Sequence, residues 1–164
     1  MNVELRTERL VMRPPGEGDL DDLVAFHDDP LVRKVFGAAA RDEVAEWIAI
    51  ARRDWDERGH GRVVLRDREG AALLGRSGLR HWPELGEVEV GWSLTAAARG
   101  RGLATEAGRF WLDWGFRELD DPYFTANIDP DSTASIAVAR RLGMTPLRQD
   151  TLHGGPVIVY ALGR

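Results

Sequence analysis

Apolar positions along the chain change period several times, and each change marks an element. In "ELRTERLVMRP", Leu5, Leu10 and Met12 recur among charged residues, which predicts a first strand closed by Pro14 and Pro15. A short helix is expected from about Leu20 to Phe26. Val44, Trp47, Ile48, Ala51 and Trp55 then fall at helical spacing within Asp42 to Arg58, and Gly59 stops that helix. Three strand-like runs follow, "GRVVLRD", "AALLGRSGLRHW" and "EVEVGWSL"; the turn-forming "REG" and "PELGE" between them make the three a meander. Next comes a helix from about Gly102 to Leu119, with Leu103, Ala107, Phe110, Trp111 and Trp114 as its stripe. A short strand "PYFTANI", a helix from about Ser132 to Leu142 ended by Gly143, and a last apolar run "PVIVYAL" complete the chain. Strands first, then strand and helix alternating, predict an α/β (α+β) class with a mixed sheet and helices on both faces. No linker, low-complexity tract or repeat interrupts the pattern, so residues 1–164 read as a single domain.

Composition narrows the classes of function. With 43% hydrophobic and 30% charged residues the chain has a globular balance, and neither a membrane span nor a signal peptide is visible, so a cytoplasmic protein is expected. The absence of cysteine excludes disulfides, thiolate metal sites and cysteine nucleophiles. A net charge of -5 argues against nucleic acid and favours cationic partners behind an acidic rim.

The densest chemical signal is "ARGRGLATEA", Ala98 to Ala107, between the strand "EVEVGWSL" and the helix after it. Glycine at a first helical turn lets backbone approach a bulky ligand, and the unpartnered N–H groups there favour an anion such as a phosphate; Arg99 and Arg101 add charge of the right sign. A Walker loop needs a lysine that this segment lacks. A dinucleotide fingerprint fails because Thr105 stands where the third glycine belongs. What remains is R-x-x-G-x-A, filled by Arg99, Gly102 and Ala104, against the plainer reading of an ordinary strand-to-helix turn.

Four segments in order resemble the GNAT superfamily of N-acetyltransferases, and within it the RimJ/RimL-like branch. They are "LRTERLVMRPPGEGDLDDL", "EVEVGWSL", "RGRGLATEA" and "DPDSTASIAVARRLGM", and together they span nearly the whole chain. The resemblance implies a mixed, mostly antiparallel sheet of about seven strands whose fourth and fifth strands splay apart to admit acetyl-CoA. It implies that the backbone of Trp92, Ser93 and Leu94 pairs with the pantetheine arm, and that the amides of Arg99, Gly100, Arg101, Gly102, Leu103, Ala104 and Thr105 hold the pyrophosphate. A backbone N–H near Gly91 or Trp92 would face the thioester oxygen, and no metal is implied.

Acetyl transfer to an amine needs a proton acceptor, and Glu89 and Glu87 share one face of the putative fourth strand by its period of two. Glu89 is the first candidate and Glu87 the second; the plainer reading is a strand end paired with arginines. His81 and Trp82 on the neighbouring strand are candidates for the amine pocket, with a half-exposed strand histidine as the alternative for His81. Many members of the superfamily carry a tyrosine acid where this chain has Ala139, which leaves Ser135 to steady the thiolate or merely to help cap its helix. Ser132 replaces the branch's asparagine at a cofactor contact, and Asn127 is placed to compensate. The implied activity is acetyl-CoA-dependent acetylation of a primary amine, either a peptide N-terminus or a small amine, with a homodimer expected by analogy. The alternative is an acyl-CoA-binding module without turnover.

Overall fold

A computed structural model describes residues 2–164. The strands are β1 (Leu5–Arg6), β2 (Leu10–Arg13), β3 (Arg62–Asp67), β4 (Leu73–Trp82), β5 (Glu87–Leu94), β6 (Tyr123–Ile128), β7 (Thr145–Leu152) and β8 (Gly155–Gly163). The helices are α1 (Leu20–Asp28), α2 (Pro30–Phe36), α3 (Arg41–Arg58), α4 (Leu103–Glu118) and α5 (Thr133–Arg141). They build one eight-stranded sheet in the order β1-β2-β3-β4-β5-β6-β8-β7, with β5 and β6 parallel and the other neighbours antiparallel.

Two local effects raise the six strand-like runs of the sequence to eight strands, one more than the seven that the resemblance implies. Thr7 N–H donates to the Leu10 carbonyl at 3.0 Å, so the first apolar run turns back on itself and divides into β1 and β2. β7 is mostly exposed and polar, carries no alternation, and exists because β8 pairs along it. The extra helix α2 is likewise set by its ends. Asp29 accepts from the N–H of Leu31 and Val32 at 3.0 and 3.3 Å, and Pro30 occupies the first turn.

Strand parity distributes the helices. Val63 and Leu65 of β3 face a cluster with Leu79, Val88, Val90 and the buried stripe of α4, while Val64 between them faces Leu23, Val44 and Ile48 of α1 and α3. No helix among the described residues is long and apolar enough to cross a membrane.

One buried carboxylate ties the N-terminal elements together. Asp19 is 1% exposed and accepts from Arg13 at 2.7 and 2.6 Å, from Gly16 N–H at 2.7 Å and from Arg66 at 2.9 Å. Burial alone would raise its pKa, but these donors outweigh it and bring the value down from 3.8 to about 2. Its contribution to stability is therefore present above pH 3.8 and is lost as the pH falls toward about 2. Asp19→Asn should cost about 2 kcal/mol at neutral pH and flatten the acid limb of the stability profile. Urea unfolding of both proteins across that pH range checks this.

Candidate active site

The site is organised by a sheet that comes apart. At the start of β5 and β6, Glu87 accepts two hydrogen bonds from Arg148 of β7 at 2.7 and 2.8 Å and one from the Tyr123 hydroxyl of β6 at 3.0 Å. The next register position is Glu89 opposite Thr125, which is the only pairing between the two strands among the described residues. Beyond it they diverge, leaving a slot between Gly91, Trp92 and Ser93 on one side and Asn127, Ile128 and Ser132 on the other.

Which backbone groups of β5 face the slot follows from strand alternation. Ser77 Oγ donates to the Gly91 carbonyl at 2.7 Å, and Thr95 N–H donates to the Leu74 carbonyl at 2.9 Å, so these groups point toward β4. Trans peptide geometry then turns the N–H of Trp92 and of Leu94, and the carbonyl of Trp92, toward the slot. Ser93 presents its side chain to the groove while its own N–H and carbonyl belong to the β4 side. A Cβ on Gly91 would meet nothing within 4 Å, so the groove passes over bare backbone there. The groove holds about 970 Å³, the size of a pocket for an extended ligand.

At the far end of β5 the chain crosses to α4 through the glycine cradle. Gly100 and Gly102 adopt φ of 75° and 77°, a region costly for residues with a Cβ. Gly102 is the residue before Leu103, the first of α4, and no side chain caps the helix there. The Thr105 hydroxyl is buried with no partner, and Arg99 donates from Nε to the Leu94 carbonyl at 3.2 Å. Arg9 braces the cradle from outside by donating to the Arg101 carbonyl at 2.6 Å and to Glu106 at 2.8 and 2.7 Å. Such an end, uncapped and positive, is suited to an anion.

Glu89 lies on the groove floor. Trp82 donates from its indole N–H to Oε2 at 2.7 Å, and Arg80 and Asn127 stand beside it. Burial pushes its pKa above the ordinary 4.5, against the pull of Trp82, Arg80 and Asn127. Glu87, by contrast, is committed to Arg148 and Tyr123, lines no part of the groove, and is held below the ordinary range by the Arg148 hydrogen bonds despite its burial. The plainer sequence reading, a strand end paired with arginine, describes it.

His81 also leaves the pocket. Parity sends it to the α4 face, where its Nε2 lies 2.6 Å from Nε2 of His60, and burial lowers the pKa of both rings. It belongs to an aromatic cluster with His60 and Trp114 and is not among the side chains that line the groove. Asn127, Ser132 and Ser135 do line the groove, and Ser132 makes no side-chain bond at the start of α5. Ala139 is fully buried in the core. Among the described residues no group of three or more His, Asp or Glu side chains is placed to hold a metal ion.

Charges of both signs meet in the groove, whose lining includes Glu43, Glu89 and Asp129. Arg62, Arg76 and Arg80 all line it. Arg62 lies 3.5 Å from Asp54, and Arg80 stacks on Trp82 with its guanidinium carbon 3.8 Å from the ring centroid. Arg76 sits among three rings, 4.6 Å from Trp47, 4.9 Å from Phe36 and 5.2 Å from Phe26. Burial, and then Arg62, push its pKa down to about 9. The signal was available in "RSGLR", where positions 76, 78 and 80 share one strand face with Glu89 and Gly91 opposite.

The chain is similar in sequence and in fold to known proteins. The chain is 28% identical over 163 residues to the uncharacterized protein YkkB of Bacillus subtilis, covering 96% of this chain and 94% of that one. An acetyltransferase from Agrobacterium tumefaciens has the same fold at a TM-score of 0.85 and 30% identity, with 100% of this chain and 96% of that chain covered. RimL, a ribosomal alpha-N-protein acetyltransferase solved in complex with coenzyme A, superposes with a TM-score of 0.78 at 18% identity, over 96% and 95% of the two chains. The family model for the acetyltransferase (GNAT) domain matches residues 9–145, and the chain is therefore a member of the GNAT acetyltransferases, an acyltransferase by family.

Proposed function

We propose that the chain works in the cytoplasm as one acetyl-CoA-dependent N-acetyltransferase domain, moving an acetyl group to a primary amine by direct attack of the amine on the thioester. The amine is a peptide N-terminus or a small molecule. The observation that carries this reading is the continuity of the opened β5–β6 slot with the glycine cradle. Slot-facing amides, a bare Gly91 and an uncapped helix end form one track suited to a thin polar arm ending in phosphates. The likeness to RimL supports the RimJ/RimL-like branch and an amine acceptor.

Acetyl-CoA supplies an activated acyl carbonyl and a thiol leaving group when bound. Amides from Gly100 to Thr105 would hold the pyrophosphate, with the Thr105 hydroxyl as a further donor, while the Arg99 N–H is taken by the Ala96 carbonyl. Leu94 N–H and the Trp92 carbonyl pair with the amides of the arm. Trp92 N–H donates to the carbonyl oxygen, where a fixed donor lowers the barrier as charge develops. Glu89 takes a proton from the incoming ammonium, a role that its raised pKa suits. Ser135 offers a hydrogen bond to the departing sulfur, and Asn127 and Ser132 line the same wall. Ala139, in place of a tyrosine acid, is the observation behind the other reading, a silent acyl-CoA-binding module; thiol release on adding amines distinguishes the two.

Gly102→Val puts a branched residue at a φ of 77° and closes the cradle. Affinity for acetyl-CoA should fall by at least about tenfold, or about 1.4 kcal/mol. Equal affinity of the two proteins in a calorimetric titration would show that the cradle binds nothing there. Glu89→Gln should lower turnover by about a hundredfold near neutral pH and leave acetyl-CoA affinity unchanged. Glu87→Gln should instead lower the melting temperature with turnover at low temperature preserved. A reversal of these two outcomes would move the base to Glu87.

A further inference from the structure

Arg76 is a cation without a counter-ion. Among the described residues no carboxylate lies within ion-pair distance of its guanidinium and no protein acceptor takes a hydrogen bond from it. Three aromatic rings surround it, and ring faces attract a cation without accepting the N–H groups along its edge. Its charged neighbours offer little relief. Arg62 and Arg80 are further cations in the same groove, and the Glu43 carboxylate is engaged by Ala40 N–H at 2.7 Å. Burial and then Arg76 lower the pKa of His27, which favours its neutral ring. Glu89 is engaged by Trp82. Half-buried among rings, with N–H groups still reachable from the groove, the guanidinium is free to pair with an anion that enters it.

The register says which ligand. Arg76 lies opposite Ser93, Gly78 opposite Gly91, and Arg80 opposite Glu89. Arg76 is therefore two residues, roughly 7 Å along the strands, from Gly91, with Glu89 as far on the other side. We propose that the acceptor is a small amine bearing a carboxylate, of the α-amino acid type, whose carboxylate is taken by the fork of Arg76 while its amino group faces Glu89. This rests on the acetyl-transfer reading above.

In the reaction the amine N–C bond forms as the C–S bond breaks. Of the two protons the ammonium gives up, one leaves through Glu89 to solvent and the other ends on the coenzyme A thiol. Phe36 and Trp47 cover the rest of the acceptor from α2 and α3. A peptide N-terminus has an amide where this carboxylate would be and leaves Arg76 unpaired. A polyamine likewise brings no anion to the Arg76 fork.

The test is thiol release from acetyl-CoA with matched acceptors: the L-amino acids, their carboxamides, short peptides with free N-termini, and spermidine. At least one free amino acid should exceed its own carboxamide by about tenfold or more in kcat/KM on the unaltered protein. Arg76→Gln should raise KM for that acid by about tenfold while leaving kcat/KM for the carboxamide within about twofold, and Arg76→Lys should restore part of the preference. Carboxamides, peptides or spermidine used as well as the acids would overturn the proposal, with no variant needed. So would an Arg76→Gln protein that loses acid and carboxamide equally, since that marks a packing role. Acetylation of neutral or cationic amines alone defeats this proposal and spares the acetyltransferase reading. No thiol release with any amine defeats both.

Discussion

The structure depends on a parallel strand pair that is fastened at one end and open at the other. Glu87, Tyr123 and Arg148 lock the starts of β5 and β6 together with β7, and Glu89 opposite Thr125 adds one pairing before the strands part. Backbone N–H and carbonyl groups in the middle of a sheet normally find partners across a ladder. Here the N–H and carbonyl of Trp92 and the N–H of Leu94 face β6 without a ladder partner, the Leu94 carbonyl being taken by Arg99, and the cost of leaving them is met by the tight neighbours on either side, β4 and β8. The slot, the glycine crossing into α4 and the groove over Gly91 all follow from that parting.

Charge is placed locally against the chain's average. The net charge is -5, yet three arginines line the groove beside Glu43, Glu89 and Asp129. Acidic residues lie mostly outside it, paired at surfaces or buried in clamps such as Asp19 and Glu87. Desolvation works in both directions within a short distance. It raises Glu89, which suits proton acceptance, and lowers Arg76, which an incoming anion would reverse.

Much of the fold was legible because strands and helices here carry clear periods. The meander, α3, α4 and the "RGRGLATEA" crossing needed only alternation, helical spacing and glycine positions. β7 and α2 were not legible, since one is held by its partner strand and the other by its capping Asp29. Within the site, parity alone would have separated His81 from Glu89, because residues 80 and 82 share the groove face and 81 does not. Parity could not separate Glu87 from Glu89. That distinction comes from Arg148, which is 61 positions from Glu87 in sequence and reaches it only through the folded β7–β8 hairpin. The net charge gave no sign of the arginines in the groove for a related reason: a sum over the chain carries no position.

The most direct test of the central claim is residue-resolved amide hydrogen exchange with and without coenzyme A. The N–H groups of Trp92 and Leu94 should exchange fast for a central strand, and should become protected on adding coenzyme A together with those of Leu103, Ala104 and Thr105, while amides facing β4 stay unchanged. Protection of Trp92 and Leu94 that is already complete in the free protein, or that is indifferent to coenzyme A, would contradict an open slot as the place where the ligand binds.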